Sequence, residues 1–355
     1  MKAIHTEYHN LDFKIPKEYT AVELFTGAGG LALGLEMAGF KNCLNVEIDE
    51  WACKTLRKNR PNWNIYEGSV ADFAEKNICE IIPNKEIDLI AGGFPCQAFS
   101  YAGQKRGLQD TRGTLFYDFA NIVRQQQPKL LLAENVKGLV THDNGNTFKT
   151  ILLAFSECGY KMFFQVLNSV YYNVPQKRER VVIIGIRDDV YTKTKRDFIF
   201  PIPSSNIINL REALKDVPKS PHYEYSNEKK KVFKMVKPGG CWRDLPEDIA
   251  KDYMKKSYYL GGGKTGIARK MSWDEPSLTV LCSPAQKQTD RCHPEEIRPF
   301  TIRESARIQT FPDNWEFSGS ILQQYKQIGN AVPVEFAKSI GLSIKSYLDI
   351  YENEI

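Results

Sequence analysis

Four groups of residues in this chain could do chemistry together: a cysteine behind a proline in Gly92-Gly93-Phe94-Pro95-Cys96-Gln97, an acid in Glu134-Asn135-Val136, two arginines in Gln176-Lys177-Arg178-Glu179-Arg180, and the glycine turn Phe25-Thr26-Gly27-Ala28-Gly29-Gly30-Leu31-Ala32. A thiol at the C-terminal lip of an α/β sheet stands where ligands bind and reads as a nucleophile. Pro95 restricts both its own φ and the residue before it, which stiffens the turn presenting the sulfur. Taken alone, a cysteine is more often a small core residue, so its neighbours must decide. Glu134 follows an apolar run and falls on the same sheet edge as Cys96, where acid and thiol can converge on one substrate. Arg178 and Arg180 could orient that carboxylate and a substrate oxygen through charge-assisted hydrogen bonds.

The glycine turn, Gly27-x-Gly29-x-x-Ala32, loosely fits a dinucleotide pattern, in which glycines let the backbone pass close to a ligand as the chain enters a helix. Glu47 ends the next apolar run about twenty residues later, where an acid can accept hydrogen bonds from both ribose hydroxyls. Together they point to a nucleoside cofactor without saying which one.

These residues need a sheet to position them. Apolar runs at 21–25, 43–48, 87–91, 130–133 and 181–186 read as strands, separated by helix-like stretches such as 115–126 and 147–158. The pattern predicts an α/β fold with a doubly wound, mostly parallel sheet covered by helices. Residues 301–309 and 334–351 again look helical, the last long and amphipathic, so the chain is expected to return to its first domain.

The chain has 355 residues, 42% hydrophobic and 26% charged, enough for one large domain and one smaller one. Its eight cysteines form no C-x-x-C pair, which argues against a zinc cluster or disulfide framework and for a reducing compartment. The first nineteen residues are polar, and no apolar run reaches membrane-spanning length, so neither export nor membrane insertion is expected. The net charge of +5 is uneven: residues 191–300 hold 21 Lys and Arg against 14 Asp and Glu, leaving the rest slightly acidic. That segment is rich in Tyr, Trp, Gly and Pro and reads as a smaller, loop-rich module that could bind nucleic acid. Within it Arg269, Lys270, Lys287 and Arg291 are the candidate nucleic-acid contacts. The expected division is 1–189 catalytic and cofactor-binding, 190–300 the basic module, and 301–355 returning to the catalytic domain.

The quoted motifs, with Arg303-Glu304-x-x-Arg307-Ile308-Gln309 and Gln327-x-Gly329-Asn330-Ala331-Val332-Pro333, resemble in order the motif series of DNA cytosine carbon-5 methyltransferases of the bacterial restriction-modification type, from about residue 20 to 345. The resemblance implies a Rossmann-like, S-adenosylmethionine-dependent methyltransferase fold, with residues 190–300 as the target-recognition domain. It implies that Cys96 adds to carbon 6 of a flipped-out cytosine in double-stranded DNA, that Glu134 holds the ring at nitrogen 3 and the exocyclic amine, and that Arg178 fixes base and carboxylate, with Arg180 beside it. S-adenosylmethionine would donate the methyl group, leaving S-adenosylhomocysteine, with no metal. Its binding residues would be Phe25, Gly27, Ala28, Gly29, Gly30, Leu31, Glu47, Ile48, Pro95, Asn330, Ala331 and Val332. Where the family shows Gly-Asp-Ile, this chain has Gly68-Ser69-Val70 with Asp72 beyond, so Val70 joins that set and the adenine amine falls to Ser69, Asp72 or backbone. Gln97, Ser100, Gln104, Lys105, Arg106 and Arg112 would meet DNA, the last four in a segment resembling the family's loop that closes over it.

The catalytic and recognition parts use nearly the whole chain, so no fused nuclease is expected, and a cognate endonuclease on the same site would be separately encoded. A monomer acting on DNA in a prokaryotic cytoplasm follows. A tRNA methyltransferase of the same fold is disfavoured by the large recognition region, which lacks that group's Cys-Phe-Thr signature. A non-catalytic DNA-binding relative would have lost Cys96 or Glu134, and a nicotinamide oxidoreductase has no use for the other motifs.

Overall fold

The computed structural model describes residues 18–76, 81, 86–95, 115–260, 266–286 and 290–354. They form two compact units, Met1–Asn168 with Glu179–Pro203 and Val334–Ile355, and Ser169–Arg178 with Ser204–Pro333. These units cut the chain elsewhere than at 190 and 300. Residues 190–203 fall in the first, while 169–178 and 301–333 fall in the second.

The strands, in chain order, are β1 (Tyr19–Leu24), β2 (Phe40–Glu47), β3 (Ile65–Glu67), β4 (Leu89–Gly92), β5 (Leu130–Val136), β6 (Tyr160–Asn168), β7 (Gln176–Lys177, in the second unit) and β8 (Glu179–Arg187). The seven of the first unit make one sheet in the order β3-β2-β1-β4-β5-β8-β6. β3, β2, β1, β4 and β5 pair in parallel, and β8 runs antiparallel to both β5 and β6. The sheet is thus α/β and mostly parallel, as the alternation of runs predicts. Its order reverses between β1 and β4, so the crevice beyond their C-terminal ends is where a ligand is expected. There β4 passes so close that a Cβ on Gly92 would lie 2.8 Å from the Leu24 carbonyl oxygen.

β6 was not among the expected strands, because it is the sheet's edge and half its side chains face solvent, so Lys161 and Gln165 break the apolar pattern. β5 also runs further than its apolar stretch. Pairing with β8 carries it through Glu134, Asn135 and Val136, opposite Val182, Val181 and Arg180.

The core of this unit packs Leu24, Val46, Ile90, Leu131 and Ile183 against Phe116, Phe119 and Phe155 from two of its helices. The helix Val334–Asn353 crosses the helix Gly30–Met37 at small residues. A Cβ on Gly34 would lie 2.4 Å from that of Ala337, and one on Gly341 2.8 Å from that of Ala38. Only glycine lets the two backbones approach this closely.

The second unit is built from short helices and two small parallel pairs, β7 with β10 (Ser277–Leu278), and β9 (Arg269–Lys270) with β11 (Arg291–Cys292). The helices Asn227–Met235 and Glu247–Met254 are too short and too charged to show a clear period in sequence. They nevertheless bury Val232, Phe233, Ala250, Tyr253 and Met254 against Tyr225, Ile267 and Cys292.

Candidate active site

The glycine turn closes on the end of β2 through Glu47. Gly27 N donates to Glu47 Oε2 at 2.6 Å, while Ile48 N and Asp49 N donate to Oε1 at 2.9 and 2.7 Å. Phe25, Gly27 and Gly29 all have positive φ, of 58°, 57° and 85°. At Phe25 this is rare and strained backbone, of the kind that persists at functional sites. A Cβ on Gly27 would meet nothing within 4 Å, so space lies open beside the turn. Burial pushes Glu47 above the usual carboxylate range, although its three backbone N–H bonds pull the other way.

The helix Gly30–Met37 has no side-chain cap and no acid in its first turn. Its first N–H groups and positive dipole end are suited to a ligand's carboxylate. Ile48 is 70% exposed and Phe25 half-buried, which gives an apolar lining beside an acid that can take ribose hydroxyls. These residues fit an amino-acid-bearing nucleoside such as S-adenosylmethionine. Ala28, Leu31 and Val70 are at most 3% exposed, so their side chains belong to the core and only their backbone can face a ligand. Ser69 caps the helix Val70–Ala74, its Oγ accepting from Asp72 N at 2.9 Å, and Asp72 is exposed.

Across the crevice, the end of β5 is tied to the segment leading to Cys96. Asn135 Nδ2 donates to the Phe94 carbonyl at 2.8 Å. A Cβ on Gly93 would lie 3.3 Å from Glu134 Oε2. Phe94 is buried against Phe116 and Phe119, with ring centroids 5.4 and 6.3 Å away. The described chain therefore reaches Pro95 with its preceding carbonyl and ring both fixed.

Glu134 is 8% exposed, and Arg180 Nε lies 2.9 Å from its Oε1. The guanidinium N–H is not aligned for a hydrogen bond, so Oε1 is buried with accepting capacity to spare. A rigid strand thus carries an incompletely bonded carboxyl group beside Arg180. That arrangement suits a group that must hold and protonate a bound base.

Within the second unit, Arg178 Nη1 donates to the Gly329 carbonyl at 3.1 Å. Gln176 Nε2 donates to Gln309 Oε1 at 2.7 Å and Gln176 Oε1 accepts from Val280 N at 2.8 Å. Gln309 Nε2 in turn donates to the Ile328 and Ala331 carbonyls. These buried amides hold the end of the helix Ile321–Asn330, at Asn330, and the residues Ala331 and Val332 that follow it. Asn330 is exposed and accepts from Cys282 Sγ at 2.8 Å. The motif at 303–309 serves the fold: Glu304 takes a two-pronged bond from Arg298 and closes a capping box with Thr301.

Of the expected site residues, Glu134 and Arg180 are brought together, as are Glu47 and the glycine turn. Cys96, Gln97, Ser100, Gln104, Lys105, Arg106, Arg112 and Lys287 lie outside the described residues. Asn135, Gln176 and Gln309 were visible only as motif letters, because the bonds that give them work are long-range. Glu23 carried no signal at all. It lies at the end of β1, 3% exposed, with Oε2 buried and unpartnered.

A family model for C-5 cytosine-specific DNA methylases matches residues 19–346. Type II methyltransferase M.Eco47II of Escherichia coli is 55% identical over 340 residues, covering 93% of this chain and 80% of that protein. Type II methyltransferase M.Sau96I of Staphylococcus aureus is 53% identical over 357 residues, covering 98% and 83%. A crystal structure of an E. coli prophage-encoded protein assigned as a DNA modification methyltransferase superposes with a TM-score of 0.68 at 22% identity, covering 93% of this chain and 99% of that one, and shows the shared fold.

Proposed function

The chain belongs to the C-5 cytosine-specific DNA methylase family and is a sequence-specific DNA cytosine-5 methyltransferase of the restriction-modification kind, and on that premise we propose how its residues divide the work. Cys96, as thiolate, adds to carbon 6 of a cytosine swung out of the duplex, which makes carbon 5 nucleophilic. Glu134 bonds nitrogen 3 and the exocyclic amine and supplies a proton at nitrogen 3 as the adduct forms. Arg180 holds Glu134, and Arg178 fixes the base. S-adenosylmethionine, when bound, supplies the electrophilic methyl group that carbon 5 takes. A base then removes the carbon-5 proton, the bond from sulfur to carbon 6 breaks and restores the thiolate, nitrogen 3 returns its proton to Glu134, and methylcytosine is released.

Glu47 would hold the cofactor ribose, Phe25 and Ile48 the adenine, and the first turn of the helix Gly30–Met37 the methionine carboxylate. Asn330, Ala331 and Val332 would lie near the methionine end, and Ser69, Asp72 or backbone would take the adenine amine. The recognised sequence would be read by the basic segment 190–300, with a separately encoded endonuclease acting on the same site. The enzyme would act as a cytoplasmic monomer. Among the described residues no helix is long and apolar enough to cross a membrane.

The observation that best supports this reading is the Asn135 to Phe94 hydrogen bond, which ties the segment leading to Cys96 to the strand bearing Glu134. A duplex with 5-fluorocytosine at the target tests it, because fluorine cannot leave as a proton does. The wild-type protein with S-adenosylmethionine should form a denaturant-stable protein–DNA adduct, and Cys96→Ala should form none. Methyl transfer by the alanine variant at a substantial fraction of the wild-type rate would overturn the assignment.

A further inference from the structure

In the second unit, β9 and β11 place Arg269 and Arg291 directly opposite each other in a parallel ladder, so both side chains leave the same face. Two guanidiniums in register repel, and neither has a carboxylate within ion-pair distance among the described residues. Three of the unit's other arginines are paired with acids: Arg298 is forked onto Glu304, Arg307 onto Asp313, and Arg211 reaches Asp274. Arg303 instead spends its guanidinium on the Pro312 and Trp315 carbonyls. The adjacent acid, Asp290, is engaged elsewhere, by Lys229 Nζ at 2.5 Å and the Tyr253 hydroxyl at 2.8 Å.

Both arginines are half-buried, and the Nε of each is shut off from solvent with no hydrogen-bond partner. Arg291 is nonetheless held in place, its Nη1 donating to the Gly266 and Asp290 carbonyls, both at 3.2 Å. Burial first, then the charge of Arg269, pull Arg291 below the ordinary guanidinium value, against the opposite influence of Asp290. The neighbouring Lys270, by contrast, is 7% exposed and offers little to a ligand. A desolvated pair of like charges is costly in the free protein and is relieved by one anion lying between them. A neutral base edge would leave the repulsion in place.

We propose that Arg269 and Arg291 act together as a clamp on a single backbone phosphate of the DNA duplex, fixing the recognition unit on the substrate rather than reading a base. The proposal rests on the reading of the chain as a DNA methyltransferase. Arg269 is the cleaner member to alter, because Arg291 also bonds two carbonyls that shape its own surroundings.

The test is a set of salt titrations of full-length protein binding to a labelled duplex bearing the sequence that wild-type enzyme methylates in cells, established by bisulfite sequencing. Arg269→Gln should weaken binding about tenfold or more, on this duplex and on unrelated sequence alike. It should leave the slope of log affinity against log salt nearly unchanged, because Arg291 still neutralises the shared phosphate. Changing both arginines should flatten the slope by about 0.9 in total, the value for one phosphate, not by twice that. The methylated sequence should stay the same. Without DNA, Arg269→Gln should melt no lower than wild type, whereas loss of a structural arginine would lower the midpoint.

A relaxed preference at one position of the site would make Arg269 a base reader and overturn the clamp. So would a single variant that alone loses about 0.9 of slope, or a double variant that keeps the wild-type slope or loses about twice 0.9. Failure of the wild-type protein to bind any duplex would instead sink the underlying DNA reading, so the two failures are distinguishable.

Discussion

The two edges of the central sheet treat buried charge in opposite ways. At the edge where β4 and β5 begin, Lys129 Nζ meets Asp88 Oδ1 at 2.8 Å and Glu352 Oε1 at 3.0 Å, with Glu86 at 3.4 Å. Asp88 Oδ2 in turn accepts from the backbone and hydroxyl of Thr20. Burial works against the charge on Lys129, but the bonds to Asp88 and Glu352 outweigh it and the ammonium is strengthened. At the opposite edge, Glu23 and Glu134 each keep a buried carboxylate oxygen without an aligned hydrogen bond, and Glu47 is raised by burial. One edge has its charges paired off and the other holds them ready for a ligand. The difference follows from sheet polarity, since the crevice of a doubly wound sheet opens only at the strands' C-terminal ends.

If that division holds, changes at the two edges should separate activity from stability. Glu134→Gln keeps the shape of the side chain but cannot transfer a proton, and should lower methylation about 10²- to 10⁴-fold. Glutamine still offers Arg180 an oxygen in place of the carboxylate, so the unfolding midpoint in urea should fall less than in Lys129→Met. A variant that is equally inactive because it is largely unfolded would show that Glu134 holds the sheet together, and would break the contrast.

Lys129→Met should do the reverse. It removes the lysine that the buried Asp88 carboxylate is paired with, and breaking a buried pair in this way typically costs about 3–5 kcal/mol. Urea unfolding should report that loss, while methylation per folded molecule should be unaltered. An unchanged midpoint would mean that solvent reaches this cluster and that the edge is less dry than its burial implies.

Much of this contrast was legible in the sequence, but unevenly. The apolar run before Glu134 placed the acid at a strand end, and the glycine turn with Glu47 pointed to a nucleoside site. The apolar run ends at Ala133, because Glu134 and Asn135 are polar. It is β8, fifty residues on in sequence, that keeps them in the ladder. Assignment of 169–178 to the second unit was invisible for the same reason. It depends on Gln176 meeting Gln309 and on Ser204 N donating to the Tyr171 carbonyl, contacts that no local pattern carries. The Lys129 cluster joins residues 88, 129 and 352, and only the folded sheet brings them together.

The smallest effect belongs to Glu23, and its sign distinguishes a stressed edge from a satisfied one. Burial first, then the nearby charge of Glu47, push the Glu23 carboxyl well above its ordinary value, with only the Ala32 N–H pulling it down. A folded-state pKa above the unfolded one means that the native protein binds the proton more tightly. The stability this contributes is fully present below the unfolded carboxylate range and is lost as pH rises through the folded value. Glu23→Gln removes that titration while leaving one buried polar atom poorly bonded, as the protonated acid does. The two proteins should therefore be nearly equal near pH 4. Above it the glutamine variant should pull ahead, by no more than about 1–3 kcal/mol, the cost of an unsatisfied buried group. Glu47 is raised in the same sense and remains in the variant, so the decline of stability with pH should be shallower, not absent. Urea denaturation from pH 4 to 8 reads the difference directly. A variant that instead loses stability as pH rises would mean that ionised Glu23 is well bonded, and that this edge of the sheet is satisfied after all.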